Sequence, residues 1–190
     1  MIIGITGKSG SGKTFYSKEL NKNNEYLVIN VDKLTHKILK EQNVKEELIL
    51  KYNTNILTNN KIDTKKLGHI VFSSKNSIKE YNEIIWKYIK LKIQQKINKT
   101  NKDIIIDWSL LPLSSFFNEC KVKVLFSMNL QERENRVIKR DKITKEYFLK
   151  REKQSLKYNI KEYDIIINTN NPSNIEEIIK LIERRKKAWK

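Results

Sequence analysis

Cysteine is almost missing from this sequence, where Cys120 stands alone among 190 residues. One thiol closes no intrachain disulfide, so packing has to hold the fold, and Cys120 among its apolar neighbours reads as a small buried hydrophobe rather than a nucleophile. Proline is nearly as scarce, with two residues, and no linker-like stretch interrupts the chain, so a single domain over residues 1–190 without a sharp internal boundary is expected. Long apolar runs are lacking too. None approaches the roughly 18 residues of a membrane span, and "MIIGIT" at the start is short for a signal segment and has no cleavage site, so a soluble cytoplasmic protein with no membrane partner is expected. His36 and His69 follow no metal-ligand spacing, and no zinc site is expected.

Acidic residues form the last shortage: 22 Asp and Glu face 39 Lys and Arg, for a formal net charge of +17. Such an excess attracts nucleic acid, acidic lipid and phosphorylated small molecules alike. The lysines are spread through nearly every segment among many Asn and Ile, as codon bias alone would spread them. Neither an arginine-rich tail nor basic and aromatic residues interleaved on a strand marks a nucleic-acid surface, so no nucleic-acid partner is expected.

Glycine is also rare, yet three of the five residues crowd into "GKSGSGKT" near the start. Gly7, Lys8, Ser9, Gly10, Ser11, Gly12, Lys13 and Thr14 fit G-x-x-x-x-G-K-[ST] at every fixed position, between an apolar run and a helical pattern. Glycines let backbone N–H groups turn inward around phosphate oxygens, and the following helix points its positive end at the same place. Lys13 reaches the β- and γ-phosphates, and the Thr14 hydroxyl can ligate Mg²⁺. Lys8 and Ser9 are less constrained and are assigned backbone contacts. A nucleoside triphosphate such as ATP is the expected ligand.

Five apolar runs, "MIIGIT", "YLVINV", "DIIIDW", "VKVLFS" and "YDIIIN", are nearly continuous, which suits strands covered on both faces of a parallel sheet. Helical patterns fill the gaps at 13–20, 77–98, 130–140, 144–158 and 172–187, the last opening on Asn-Pro. The expected fold is α/β, a three-layer sandwich around a five-stranded parallel sheet of the P-loop type. Residues 33–102 contain no convincing strand and read as helices, with 33–100 the expected acceptor-binding region and the charged stretch 130–155 an expected lid.

Asp32, two residues beyond Asn30 at a strand's carboxyl end, either accepts a proton from an acceptor hydroxyl or caps a helix beginning at Lys33. Asp107 closes "IIID" and either holds Mg²⁺ or its waters, or shapes a turn. Arg133, Arg136 and Arg140 share a helix face; Arg133 reads as part of a solvated salt-bridged surface, whereas Arg136 and Arg140 suit closure over the moving phosphoryl group. Asn168 either shapes an adenine-receiving loop or serves a turn. Tyr81, Trp86 and Tyr88 read as core packing on the long helix, and His36 as structural or as an acceptor contact.

The chain resembles the dephospho-CoA kinase family over nearly its whole length. "IGITGKSGSGKT" is similar to that family's opening loop, and "VINVDKLTH" to its strand ending in D-x-D. "NNKIDTKKLGHIVF", "IIIDWSLL", "QERENRVIKRD" with "KREKQ", and "YDIIIN" are similar to later segments in order. The resemblance implies ATP-dependent phosphorylation of the 3′-hydroxyl of dephospho-CoA, with Asp32 as the base, the loop as the ATP site, Arg140 in the lid and Mg²⁺ as cofactor. The chain departs from the family pattern at Asn30, Thr64, Trp86, Lys87 and Ser109, on the acceptor side, where Lys65 or Lys66 offers a point charge in place of an arginine. A nucleoside or nucleoside monophosphate kinase is the alternative of the same fold; a polyanion-stimulated NTPase and a binding protein without turnover are the rivals of other classes.

Overall fold

The computed structural model describes residues 1–170 and 175–187. In chain order the elements are β1 (Ile2–Thr6), α1 (Lys13–Leu20), β2 (Tyr26–Asn30), α2 (Val31–Ile38), α3 (Gln42–Tyr52), β3 (Leu57–Thr58), β4 (Lys61–Ile62), α4 (Thr64–Val71) and α5 (Lys75–Ile97). They continue with β5 (Asp103–Asp107), α6 (Phe116–Glu119), β6 (Val122–Ser127), α7 (Leu130–Asp141), α8 (Lys145–Lys153), β7 (Ile165–Asn168) and α9 (Ile175–Lys187). Two compact units result, one from the chain up to Asn30 with the described residues from Asn101 onward, the other from Val31–Thr100.

The first unit is a five-stranded sheet in the order β2-β5-β1-β6-β7, with every neighbouring pair parallel. Register sets Ile3 beside Ile105 and Val122, and Asp107 beside both Ile5 and Asn30. Strands buried on both faces need apolar residues at every position, which is why β5 reads as an unbroken Ile run, whereas β7, at the sheet's edge, buries Ile165 and Ile167 and leaves Ile166 48% exposed. Ile5, Ile105, Val124 and Phe126 are fully or almost fully buried in one core, into which α1 sends Tyr16 and Leu20, and α9 sends Ile178 and Ile182. The stretch after β5 buries Leu111, Phe116 and Cys120, and burial pushes the Cys120 thiol up to about 12, so it stays protonated and inert as read. The architecture is the expected α/β fold.

Two boundaries differ in this unit. The strand expected from Tyr163 begins at Ile165, because Tyr163 packs edge-on against Phe117 and the Asp164 carboxylate accepts the Lys123 N–H at 2.8 Å. The helix expected to run to residue 158 stops at Lys153, and the chain then carries Tyr158 to a hydrogen bond on the Ser109 carbonyl at 2.8 Å. Of the expected final helix, 175–187 is seen; its Asn-Pro opening lies outside the described residues.

The second unit gathers α2, α3 and α4 around α5, whose buried Ile85, Ile89 and Ile93 recur every four residues along one stripe. Ser74 caps α5 by accepting from the Ser77 N–H, and Asp63 caps α4 by accepting from the Lys65 and Lys66 N–H groups. The expectation of no strand here is corrected by the small hairpin β3–β4. Its turn is Asn59-Asn60, both at positive φ (49° and 57°), the conformation that a two-residue hairpin requires and Asn tolerates. Two-residue strands carry no periodicity, so the dipeptide was the sole trace of it. A second correction concerns α2: it starts at Val31, directly after β2, so Asp32 lies inside the first turn and caps nothing.

Candidate functional site

The loop between β1 and α1 leaves the centre of the sheet, where the strand carboxyl ends stand side by side. Gly7 has φ 143°, and a Cβ there would lie 2.3 Å from the Phe126 carbonyl oxygen; Gly10 has φ 86°, and its Cβ would press on the backbone of Arg133 at 3.1 Å. Only glycine allows both the turn and the close approach. The Ser11 N–H donates to the Lys8 carbonyl at 3.1 Å, whereas the N–H groups of Gly10, Gly12 and Thr14 meet no protein acceptor among the described residues. Donors left open at the start of an eight-residue helix form an anion cradle. Ser11 Oγ is buried without a partner beneath them.

Lys13, 8% exposed, rests its Nζ 3.2 Å from the Lys8 carbonyl, arched over the loop. Thr14 Oγ1 donates to Asp107 Oδ2 at 3.0 Å, and Asn30 Nδ2 donates to the same carboxylate oxygen at 2.8 Å. Asp107, only 2% exposed, is thus the inward acid of the cradle, with its carboxylate facing Thr14. A hydroxyl and a carboxylate oxygen side by side are hard donors of the type that hold Mg²⁺ together with substrate phosphates, so the residues present fit that ion.

Side chains of α7 and α8, in the stretch expected as a lid, reach the loop. Arg140 is clamped by Asp141 through Nε at 2.7 Å and Nη2 at 3.0 Å, and its Nη2 also donates to Ser9 Oγ at 3.1 Å. The Arg136 side chain is exposed and forms no hydrogen bond or ion pair among the described residues. Arg133 is not solvated as expected: it is buried and grips Glu152 with both terminal nitrogens, at 2.8 and 2.9 Å. Glu152 also takes the Lys8 ammonium, so the Lys8 side chain is engaged with α8. Burial pushes the Glu152 carboxyl up, but its bonds to Arg133 and Lys8 outweigh that and hold it below the usual range.

Asn168 lies at the end of β7, where its Oδ1 accepts from the Asn170 N–H and side-chain amide at 3.1 and 2.7 Å, the geometry of a turn. Its neighbour Thr169 carries no motif signal, yet its buried hydroxyl lies 2.9 Å from both the Ser11 and Ser127 carbonyls and ties the sheet's edge to the loop.

In the second unit, Asp32 and His36 are four residues apart on the exposed face of α2. Asp63 accepts Thr58 Oγ1 at 2.9 Å, and Lys66 Nζ donates to the Leu57 carbonyl at 2.9 Å, so hairpin and α4 are pinned together. Lys87 and Tyr88 both donate to Glu47, at 2.6 and 2.7 Å, and these two bonds hold its carboxyl below the usual range. Burial pushes the Tyr81 hydroxyl up to about 12, in keeping with a packing role.

A family model described as dephospho-CoA kinase matches residues 1–176. A dephospho-CoA kinase of Fusobacterium nucleatum is 37% identical over 188 residues, spanning 97% of this chain and 96% of its own. The chain belongs to the dephospho-CoA kinase family. In fold, it is similar to TT1252 from Thermus thermophilus, with a TM-score of 0.77 at 21% identity over 99% of this chain and 96% of that one. It is also similar to the dephospho-CoA kinase from Campylobacter jejuni, with a TM-score of 0.54 at 22% identity over 98% and 96%. The family's P-loop kinase fold accounts for the central placement of the loop and for the helices that flank the sheet. Among the described residues, no helix is long and apolar enough to cross a membrane.

Proposed function

We infer that this chain transfers the γ-phosphoryl group of ATP to the 3′-hydroxyl of dephospho-CoA, giving CoA and ADP, the last step of coenzyme A biosynthesis. The observation that carries the phosphoryl chemistry is the open row of loop amides with Thr14 and Asp107 paired at its edge. Family membership supplies the acceptor.

In this reading the loop amides from Gly7 to Thr14 and the start of α1 hold the polyphosphate, and Lys13 meets the charge that builds on the β- and γ-oxygens. Thr14 and Asp107 would hold Mg²⁺, which when bound would supply positive charge to offset that of the phosphates. Asp32 takes the proton of the acceptor hydroxyl as its oxygen bonds to phosphorus and the bond to the ADP oxygen breaks. Arg140, already oriented on the loop through Ser9, and Arg136, exposed on the same helix, close over the moving group. Residues 33–100 receive the acceptor and 130–155 exclude water. ATP and dephospho-CoA are the partners and the cytoplasm the compartment.

The departures at Thr64, Trp86, Lys87 and Ser109 leave this reading in place because the family match runs over residues 1–176; of the four, Thr64 follows the Asp63 cap and Lys87 pairs with Glu47. The test is ADP release with dephospho-CoA, adenosine, AMP and RNA supplied in turn, and the product examined for a new 3′-phosphate. Release driven by dephospho-CoA alone is expected; equal release with AMP or RNA would replace the acceptor.

A further inference from the structure

Asn30 stands where the cation end of the site is tuned. Its Nδ2 lies 2.8 Å from Asp107 Oδ2 and 3.3 Å from Thr14 Oγ1, and Thr14 Oγ1 is itself 3.0 Å from that Oδ2. The ends of β2 and β5 and the first turn of α1 thus bring three polar side chains onto one another, and Asp107 is the acid among them. The backbone register supports the arrangement, since Asn30 and Asp107 are direct cross-strand partners whose side chains share a face.

An amide NH₂ offers hydrogens and no negative charge, so it orients a carboxylate oxygen while competing with a cation for it. We propose that Asn30 is a positioning residue that holds Asp107 Oδ2 towards Thr14 and, by being neutral, keeps this pair a weak divalent-cation site until a nucleotide brings the missing negative charge. Affinity for hard divalent ions follows the number of charged oxygen ligands, and one carboxylate with one hydroxyl supplies too few. The metal then enters with the nucleotide, and an ATP-free molecule does not hold it. The proposal rests on the kinase reading only for the identity of the phosphate carrier.

Mn²⁺ is the probe, with its free-ion electron paramagnetic resonance signal titrated by the full chain. Without nucleotide, the wild type is expected to leave the signal almost unchanged, and adding ADP to deplete it. Asn30→Asp should bind Mn²⁺ without nucleotide at least about tenfold more tightly than the wild type, because a second carboxylate joins the first. Asn30→Ala removes both the competing amide and the orientation it gives Asp107 and adds no charge, so it should bind Mn²⁺ far more weakly than Asn30→Asp in the same titration. A merely structural role would lower thermal stability in both variants and move neither binding curve. If Asn30→Asp proves unfolded without metal, recovery of its circular dichroism on adding Mn²⁺ supports the proposal, and failure to recover overturns it. Wild type that binds Mn²⁺ without nucleotide as tightly as Asn30→Asp, or Asn30→Ala that matches Asn30→Asp, also overturns it. Failure of the kinase reading would show elsewhere, as wild type that never turns over dephospho-CoA whatever the titrations give.

Discussion

Lys13 and Asp32 make separable demands on one reaction. The Lys13 ammonium sits over the loop, 3.2 Å from the Lys8 carbonyl, and in the proposed reaction it would act on nucleotide binding and on the transition state together. Asp32, on the exposed face of α2, would in the proposed reaction act only when an acceptor hydroxyl loses its proton. Asp32→Asn should therefore leave ATP binding near wild type and lower turnover by roughly 10²–10⁴, the usual contribution of a positioned base. Lys13→Ala should weaken nucleotide binding and also lower turnover, by about 10²–10³. A fluorescent ATP analogue reads the first quantity and coupled ADP release the second; undiminished turnover in Asp32→Asn would remove the base from that position. At this scale the loop, Thr14 and Asp107 were legible because phosphate chemistry demands particular residue types at fixed spacing. Thr169 was not, since a threonine that bonds the Ser11 carbonyl across 158 residues of chain looks like any other threonine.

Among the elements, α8 is the one whose role was hidden. Its sequence reads as part of the charged stretch 130–155 with no residue singled out, yet Glu152 joins the buried Arg133 of α7 to Lys8 of the phosphate loop, which stands 144 residues earlier. The apolar strand runs announced themselves by composition, whereas a buried ion pair between distant charged residues has no local signature, and neither does a hairpin of two-residue strands. Breaking a buried pair from one side leaves the other charge without compensation, at about 3–5 kcal/mol when both partners are fully enclosed. The Glu152 side chain is 18% exposed, so a smaller cost is expected for Glu152→Gln, about 2 kcal/mol. In a chain of this length that lowers Tm by roughly 4–8 °C. Calorimetry gives the shift, and hydrogen exchange should show faster opening of 145–153 and of the loop amides with β1 unchanged. An unaltered Tm with unaltered exchange would mean that the triad contributes nothing.

For the whole molecule, the order β2-β5-β1-β6-β7 was beyond the sequence, which announces strands but not their neighbours, while the excess of positive charge was plain from composition and sets how the fold answers to pH. With 39 basic against 22 acidic residues, most carboxylates lie in a cationic field. Hydrogen bonds from Lys87 and Tyr88 lower Glu47, and that from Arg140 lowers Asp141; for Glu152, ion pairing outweighs the burial that would raise it. A carboxyl whose pKa is depressed by folding stabilises the native state above its unfolded pKa of roughly 4, and that contribution is lost as pH falls through the lower folded value. Each proton taken up also adds to a net charge of +17, so self-repulsion grows as the pairs fail. Tm should thus be nearly level from about pH 6 to 8 and fall steeply below about pH 4.5. The alkaline limb should begin far higher, because ion pairs with Glu183 and Asp103 overcome burial and raise Lys186; that contribution is complete below its unfolded pKa and fades only above it. Sodium chloride separates the two acid effects, since screening relieves the diffuse repulsion among exposed charges more than it weakens the enclosed Arg133–Glu152 pair. Added salt should raise Tm at pH 4 more than at pH 7, and Glu152→Gln should flatten the acid limb in calorimetric scans; an acid limb untouched by both would place its origin in other carboxylates.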